Sequence, residues 1–161
     1  MPLKKILVGV DDSEAAAAAA RWAAEAVRET GGEVVAVHCL DTSVVRLAVE
    51  SVIRGLGVPP TDIVDWRDEI RLLLEADWSQ PLRDAGVPYR TMLVEGDPVR
   101  ALLDTARDLD VDLIVVGHQG GTTFLHRLFS HVSEALLDHA SRPVVVVPFS
   151  PVSGEGDAAT S

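Results

Sequence analysis

The sequence predicts an α/β domain on a five-stranded parallel sheet. Two observations carry that expectation. Short apolar runs alternate with longer helical patterns along most of the chain. Three of the runs, KILVGV at 5–10, DLIVV at 112–116 and VVVV at 144–147, are nearly continuous in Val, Ile and Leu. Strands covered on both faces have that composition. Strand–helix alternation in turn gives a parallel sheet with right-handed crossovers.

The elements follow in order. The first strand spans 5–10. Asp12 or Ser13 can cap a helix through Val27 that is rich in Ala, the best helix former. Gly31-Gly32 ends it, since a glycine readily takes the positive φ of a helix terminus. EVVAVHC at 33–39 is the second strand and YRTMLVE at 89–95 the third. Asp97 then caps a helix that starts with Pro98. Its apolar stripe is Val99, Leu102, Leu103, Ala106 and Leu109. The fourth strand spans 112–116. A helix over 133–140 is stopped by Pro143, and 144–147 is the fifth strand. The stretch 41–86 is long for one crossover. Val45, Ala48, Val49, Val52, Ile53 and Leu56 give one helical stripe; Trp66, Ile70, Leu73, Asp77, Trp78 and Leu82 give another, kinked by Pro81.

A chain of 161 residues suits one domain, here 1–149, with a small polar tail at 150–161 expected to be disordered. Lys plus Arg number 14 against 25 Asp plus Glu, a net charge of −11. That balance argues against nucleic acid as a partner. It leaves phosphate ligands open, because backbone N–H groups hold anions without net positive charge. Cys39 is the one cysteine, so no internal disulfide is possible and a reducing cytoplasm is favoured. No run approaches the length of a membrane span, so no membrane partner is expected.

Two features carry chemistry. Gly117-His118-Gln119-Gly120-Gly121 follows a buried strand. Glycines there let backbone approach a ligand, and a helix N-terminus near Ser130 to Ser133 would offer N–H groups to an anion. The other reading is a ligand-free strand-to-helix turn. Asp11 ends the first strand, on the side of an open parallel sheet where ligands sit. It can take a sugar hydroxyl or an adenine amine, or serve only as a helix cap. Phosphate-loop, dinucleotide and nucleophile-elbow motifs are absent. His118, His126, His131 and His139 lack the tight spacing of zinc sites. Trp22, Trp66 and Trp78 read as packing residues, and Cys39 as a small core residue.

Taken together, the stretches KKILVGVDDS at 4–13, 33–41, VEGDP at 94–98 and 112–148 resemble the universal stress protein family, and the likeness covers residues 2–149. The resemblance implies a Rossmann-like three-layer sandwich with sheet order 3-2-1-4-5. It implies a homodimer, paired through Val144 to Val147. Nucleotide-binding members carry Gly, two residues, Gly, nine residues, Gly, then Ser or Thr. Gly117 and Gly120 match; Ser130 and His131 stand in place of the last pair, and Val132-Ser133 match the continuation. Asp11 matches the acidic residue that meets the nucleoside, Gly9 and Val10 lie at the adenine side, Cys39 lines the same pocket, and Val116 precedes the loop. The resemblance thus implies a stress-response regulator that binds ATP, with Mg2+, or a related adenine nucleotide. No catalytic residue is assigned, and at most a slow ATPase is expected. The Ser130-His131 pair keeps a second reading open, a nucleotide-free dimeric interaction module: the two side chains can donate to a phosphate or crowd it out.

Overall fold

The computed structural model describes residues 2–41, 50, 54–55, 62–119 and 124–149. Five strands, β1 (Lys5–Gly9), β2 (Glu33–Leu40), β3 (Tyr89–Glu95), β4 (Leu113–Gln119) and β5 (Val144–Phe149), form one sheet in the order β3-β2-β1-β4-β5. All four pairings are parallel. The expected architecture and strand order are those found.

Alternation along the strands sorts the core into two layers. Ile6 and Val8 point to one face, with Val34, Ala36 and Val115. Leu7 points to the other, with Val35, Val37, Ile114 and Val116. Helix α1 (Glu14–Thr30) covers the first face with Ala19, Ala20 and Ala23, all fully buried. Small side chains let it lie close to the sheet. Ser13 caps it, its Oγ accepting the Ala16 N–H at 3.1 Å, and Gly31 ends it at φ 73°. Helices α4 (Pro98–Asp108) and α5 (Phe124–His139) cover the second face through Leu102, Ala106 and Leu136. Asp97 caps α4 through the Arg100 N–H at 3.0 Å.

The crossover from β2 to β3 differs in detail from its sequence pattern. Helix α2 (Asp62–Leu73) runs into a π-helical turn, Leu74–Trp78, and a short helix α3 (Gln80–Ala85) follows. Pro81 stands in the first turn of α3 and not inside a continuous helix. Its ring would clash with the carbonyl four residues back if the helix ran straight on. The buried stripe consequently passes through Leu74, 1% exposed, while Leu73 is 39% exposed. Ser79, fully buried, donates its hydroxyl to the Leu74 carbonyl at 2.7 Å and fastens the turn. Trp78 packs on the core as expected, but Trp22 on the outer side of α1 is 39% exposed. The side chain of Trp66, most of the stretch from Asp41 to Val58 and the segment 150–161 lie outside the described residues.

Helix α5 is the larger correction. It begins at Phe124, so Ser130 to Ser133 lie inside it and not at its N-terminus. Amides there serve the helix ladder and cannot form the anion site expected of a helix start. The apolar pair Phe124-Leu125 after Thr122-Thr123 was the sequence signal for the earlier start.

Candidate functional site

The chain leaves β1 for β2 on one side, while β4 flanks β1 on the other. Strand order reverses at that point, and a crevice opens at the carboxyl ends of β1 and β4. A cleft of about 160 Å³ lies there. That is smaller than the ~300–1,000 Å³ taken by drug-sized ligands, so it encloses part of a ligand of that size.

Eight of the sequence-predicted residues line this cleft: Gly9, Val10, Asp11, Cys39, Val116, Gly117, Val132 and Ser133. His131 is exposed and stands apart from the lining. Gly120 and the side chain of Ser130 lie outside the described residues. Ser13, Ala15 and Ala16 at the start of α1, with Val37, His38, Pro98 and Leu102, complete the walls, and none of these was anticipated as a site residue. Leu102 carried a signal, since it belongs to the apolar stripe of α4; His38 carried none, because a strand histidine reads as any half-buried polar residue.

Asp11 and Ser13 divide the turn between β1 and α1. Ser13 makes the helix cap, and Asp11 Oδ1 accepts the Ser13 N–H at 2.8 Å. A carboxylate has about four lone-pair sites, so this bond leaves acceptor capacity at the cleft. Val10, just before, is held by β2: its N–H donates to the Val37 carbonyl at 2.9 Å, and its carbonyl lies 2.8 Å from His38 Nδ1.

Gly117 has a scaffold role beside any ligand. A Cβ at this position would meet the Ala15 carbonyl oxygen at 2.2 Å and the Ala16 nitrogen at 2.8 Å. The glycine lets the first turn of α1 rest directly on β4. Gly9 is different: its Cβ would find Val116 Cγ1 at 3.5 Å, an ordinary contact.

Cys39 is half-buried, its Sγ 3.5 Å from the Gly96 carbonyl oxygen. Burial first, then the carboxylates of Asp41 and Asp97, push its thiol up to about 11. It is a neutral wall of the cleft at physiological pH, not a nucleophile. Nearby, Ser133 Oγ lies 3.4 Å from His118 Nδ1 and ties α5 to β4. Among the described residues no group of three or more His, Cys, Asp or Glu side chains is placed to hold a metal ion, and no helix is long and apolar enough to cross a membrane.

The family model described as the universal stress protein family matches residues 2–148. A universal stress protein of Methanocaldococcus jannaschii is 25% identical over 89% of this chain and 94% of its own length. Its solved structure superposes with a TM-score of 0.70, covering 94% of this chain and 99% of that one. A universal stress protein from Archaeoglobus fulgidus, solved in complex with dAMP, has a TM-score of 0.60 at 24% identity and covers 91% and 99% of the two chains. A family protein from Arabidopsis thaliana, solved with AMP bound, has a TM-score of 0.61 at 20% identity and covers 98% and 99%.

Proposed function

Because this chain belongs to the universal stress protein family, we propose that its cleft binds ATP or a related adenine nucleotide and that the protein acts as a stress-response regulator. The observation that carries the reading is that Asp11 and Gly117, from opposite ends of the sequence, line one cleft at the point where strand order reverses. Val10, Val37, Leu102 and Val116 give it apolar walls suited to a base, and Asp11 is an acceptor suited to a ribose hydroxyl. The dAMP of the Archaeoglobus protein and the AMP of the Arabidopsis protein support the ligand class. Bound as ATP, the ligand would bring Mg2+ as counter-charge to its phosphates.

Calorimetric titration with AMP, and with ATP plus Mg2+, tests the reading. Binding that weakens at least roughly five-fold in Asp11→Ala, the loss of about one hydrogen bond, supports it. Absence of heat and of thermal shift at millimolar nucleotide overturns it. That result selects the second reading, a nucleotide-free interaction module, which the position of His131 outside the cleft favours. Either form is proposed to work in the cytoplasm as a homodimer paired along β5, whose strand Val144 to Val147 forms a sheet edge that a partner would cover. Sedimentation of the wild type against Val146→Lys tests the pairing.

A further inference from the structure

We infer that His38 is a positioning residue for this cleft, holding the end of β1 from which Asp11 projects; the inference rests on the nucleotide reading above. His38 Nδ1 lies 2.8 Å from the Val10 carbonyl oxygen. A carbonyl only accepts, so Nδ1 carries the proton. Val10 lies one residue past the end of β1, and the imidazole supplies a bond where the strand has ended. With the Val10 N–H on the Val37 carbonyl, both backbone polar groups of Val10 are taken by two adjacent residues of β2. Asp11 follows immediately, and its carboxylate is in turn tied to the Ser13 N–H.

The ring also meets Trp78. The two ring centroids are 4.6 Å apart, with planes tilted by 50°. Trp78 closes the π-helical turn, which is anchored by buried Leu74 and Ser79. One bond sets the distance of the imidazole and one aromatic contact sets its plane. A leucine would fill the half-buried position on β2 but leave the Val10 carbonyl without this partner. The turn that carries Asp11 would then sample more than one arrangement, and the cleft would meet its ligand less well prepared.

The test compares His38→Leu with His38→Asn, whose side-chain amide can donate from near the place of Nδ1. AMP affinity should fall about five- to ten-fold in His38→Leu, the effect of one lost hydrogen bond, and return to within about two-fold of wild type in His38→Asn. Two measurements need no ligand. Nitrogen-15 shifts of the wild type should show His38 protonated at Nδ1, and amide exchange at Ser13 should quicken in His38→Leu. A neutral tautomer protonated at Nε2 overturns the inference. So does Ser13 exchange unchanged in His38→Leu, or His38→Asn binding AMP as weakly as His38→Leu. If wild type binds no AMP the nucleotide reading falls, while the tautomer and the exchange still decide whether His38 positions the turn. Should His38→Leu fail to fold, His38→Asn against wild type, with the tautomer, decides alone.

Discussion

A Cβ on Gly117 would lie 2.2 Å from the carbonyl oxygen of Ala15. The contact is backbone on backbone, so no side chain can turn aside to relieve it. Gly117→Ala must push α1 off β4, and overpacking of this kind costs about 1–3 kcal/mol. At this chain length the melting temperature should drop by about 2–12 °C. Gly9→Ala is the control. Its methyl meets Val116 and Leu102 at 3.5 and 4.0 Å, so melting should move by less than about 2 °C. Both neighbours line the cleft, so the same methyl should weaken AMP binding. Scanning calorimetry and titration of the two variants separate scaffold from ligand contact.

That pair also shows what the sequence could and could not carry. Runs of Val and Ile, the caps Ser13 and Asp97, and the glycine at 31 mark elements by local chemistry alone, and those elements form there, although β4 runs past the expected 116 to Gln119 and takes in Gly117. Gly117 was equally visible as a glycine after a strand, but what it admits is the backbone of Ala15, a residue far away in the sequence. His38 and Val10 are 28 residues apart, and nothing in strand periodicity links them. Spacing within a strand or helix is legible because it repeats; a contact across the sheet is not. The start of α5 is another kind of error. Gly120 and Gly121 drew the expected loop too far, past the apolar residues at 124 and 125.

Asp112 joins β1 to β4 at the end of the sheet away from the cleft. Its Oδ2 accepts the backbone N–H groups of Lys4 and Lys5 at 2.8 and 3.0 Å, while its own N–H donates to the Lys5 carbonyl at 2.9 Å. The Lys5 and then the Lys4 N–H hold its carboxyl below the ordinary range. A folded value below the unfolded one makes the stabilisation complete above about pH 4, the ordinary carboxylate value. It is lost as pH falls through the lower folded value. Asp112→Ala should melt about 2–4 °C below wild type at pH 7, the shift from ~1 kcal/mol of hydrogen bonding. The gap should stay constant down to about pH 5 and narrow below pH 4. Melting curves of both proteins across pH 2–8 check it.

Arg83 closes the corner between α2 and α3. Its Nη2 donates to the Glu75 and Ala76 carbonyls at 2.6 and 2.9 Å, and its Nη1 to Gln80 Oε1 at 2.8 Å. Two carbonyls of the π-helical turn thus share one donor group, and a planar guanidinium reaches several acceptors at once where an ammonium acts as a point charge. Arg83→Lys should therefore fail to replace it. The side chain is exposed, so global stability should change by less than about 1.5 kcal/mol. The larger effect is local: amide exchange across 74–80 should quicken in Arg83→Lys while that of β1 stays unchanged. Uniform quickening across both segments would place the role of Arg83 elsewhere.

Cys39 gives the cleft a chemical reporter. With its thiol pushed up to about 11 by burial and by Asp41 and Asp97, the thiolate fraction at pH 8 is about two orders of magnitude below that of a free cysteine of pKa ~8.5. A more basic thiolate is intrinsically more nucleophilic, which recovers about one order. Alkylation by iodoacetamide at pH 8 should thus run roughly 10- to 100-fold slower than for a free thiol. Its rate should go on rising with pH toward about 11, where a free thiol levels off near pH 8.5. Saturating AMP should slow the reaction further, because Cys39 shares the cleft wall with Asp11 and Val10. A rate at pH 8 equal to that of a free thiol would mean that the sulfur faces open solvent. A rate low without nucleotide and unchanged with it would leave the buried thiol in place and move the nucleotide out of this cleft.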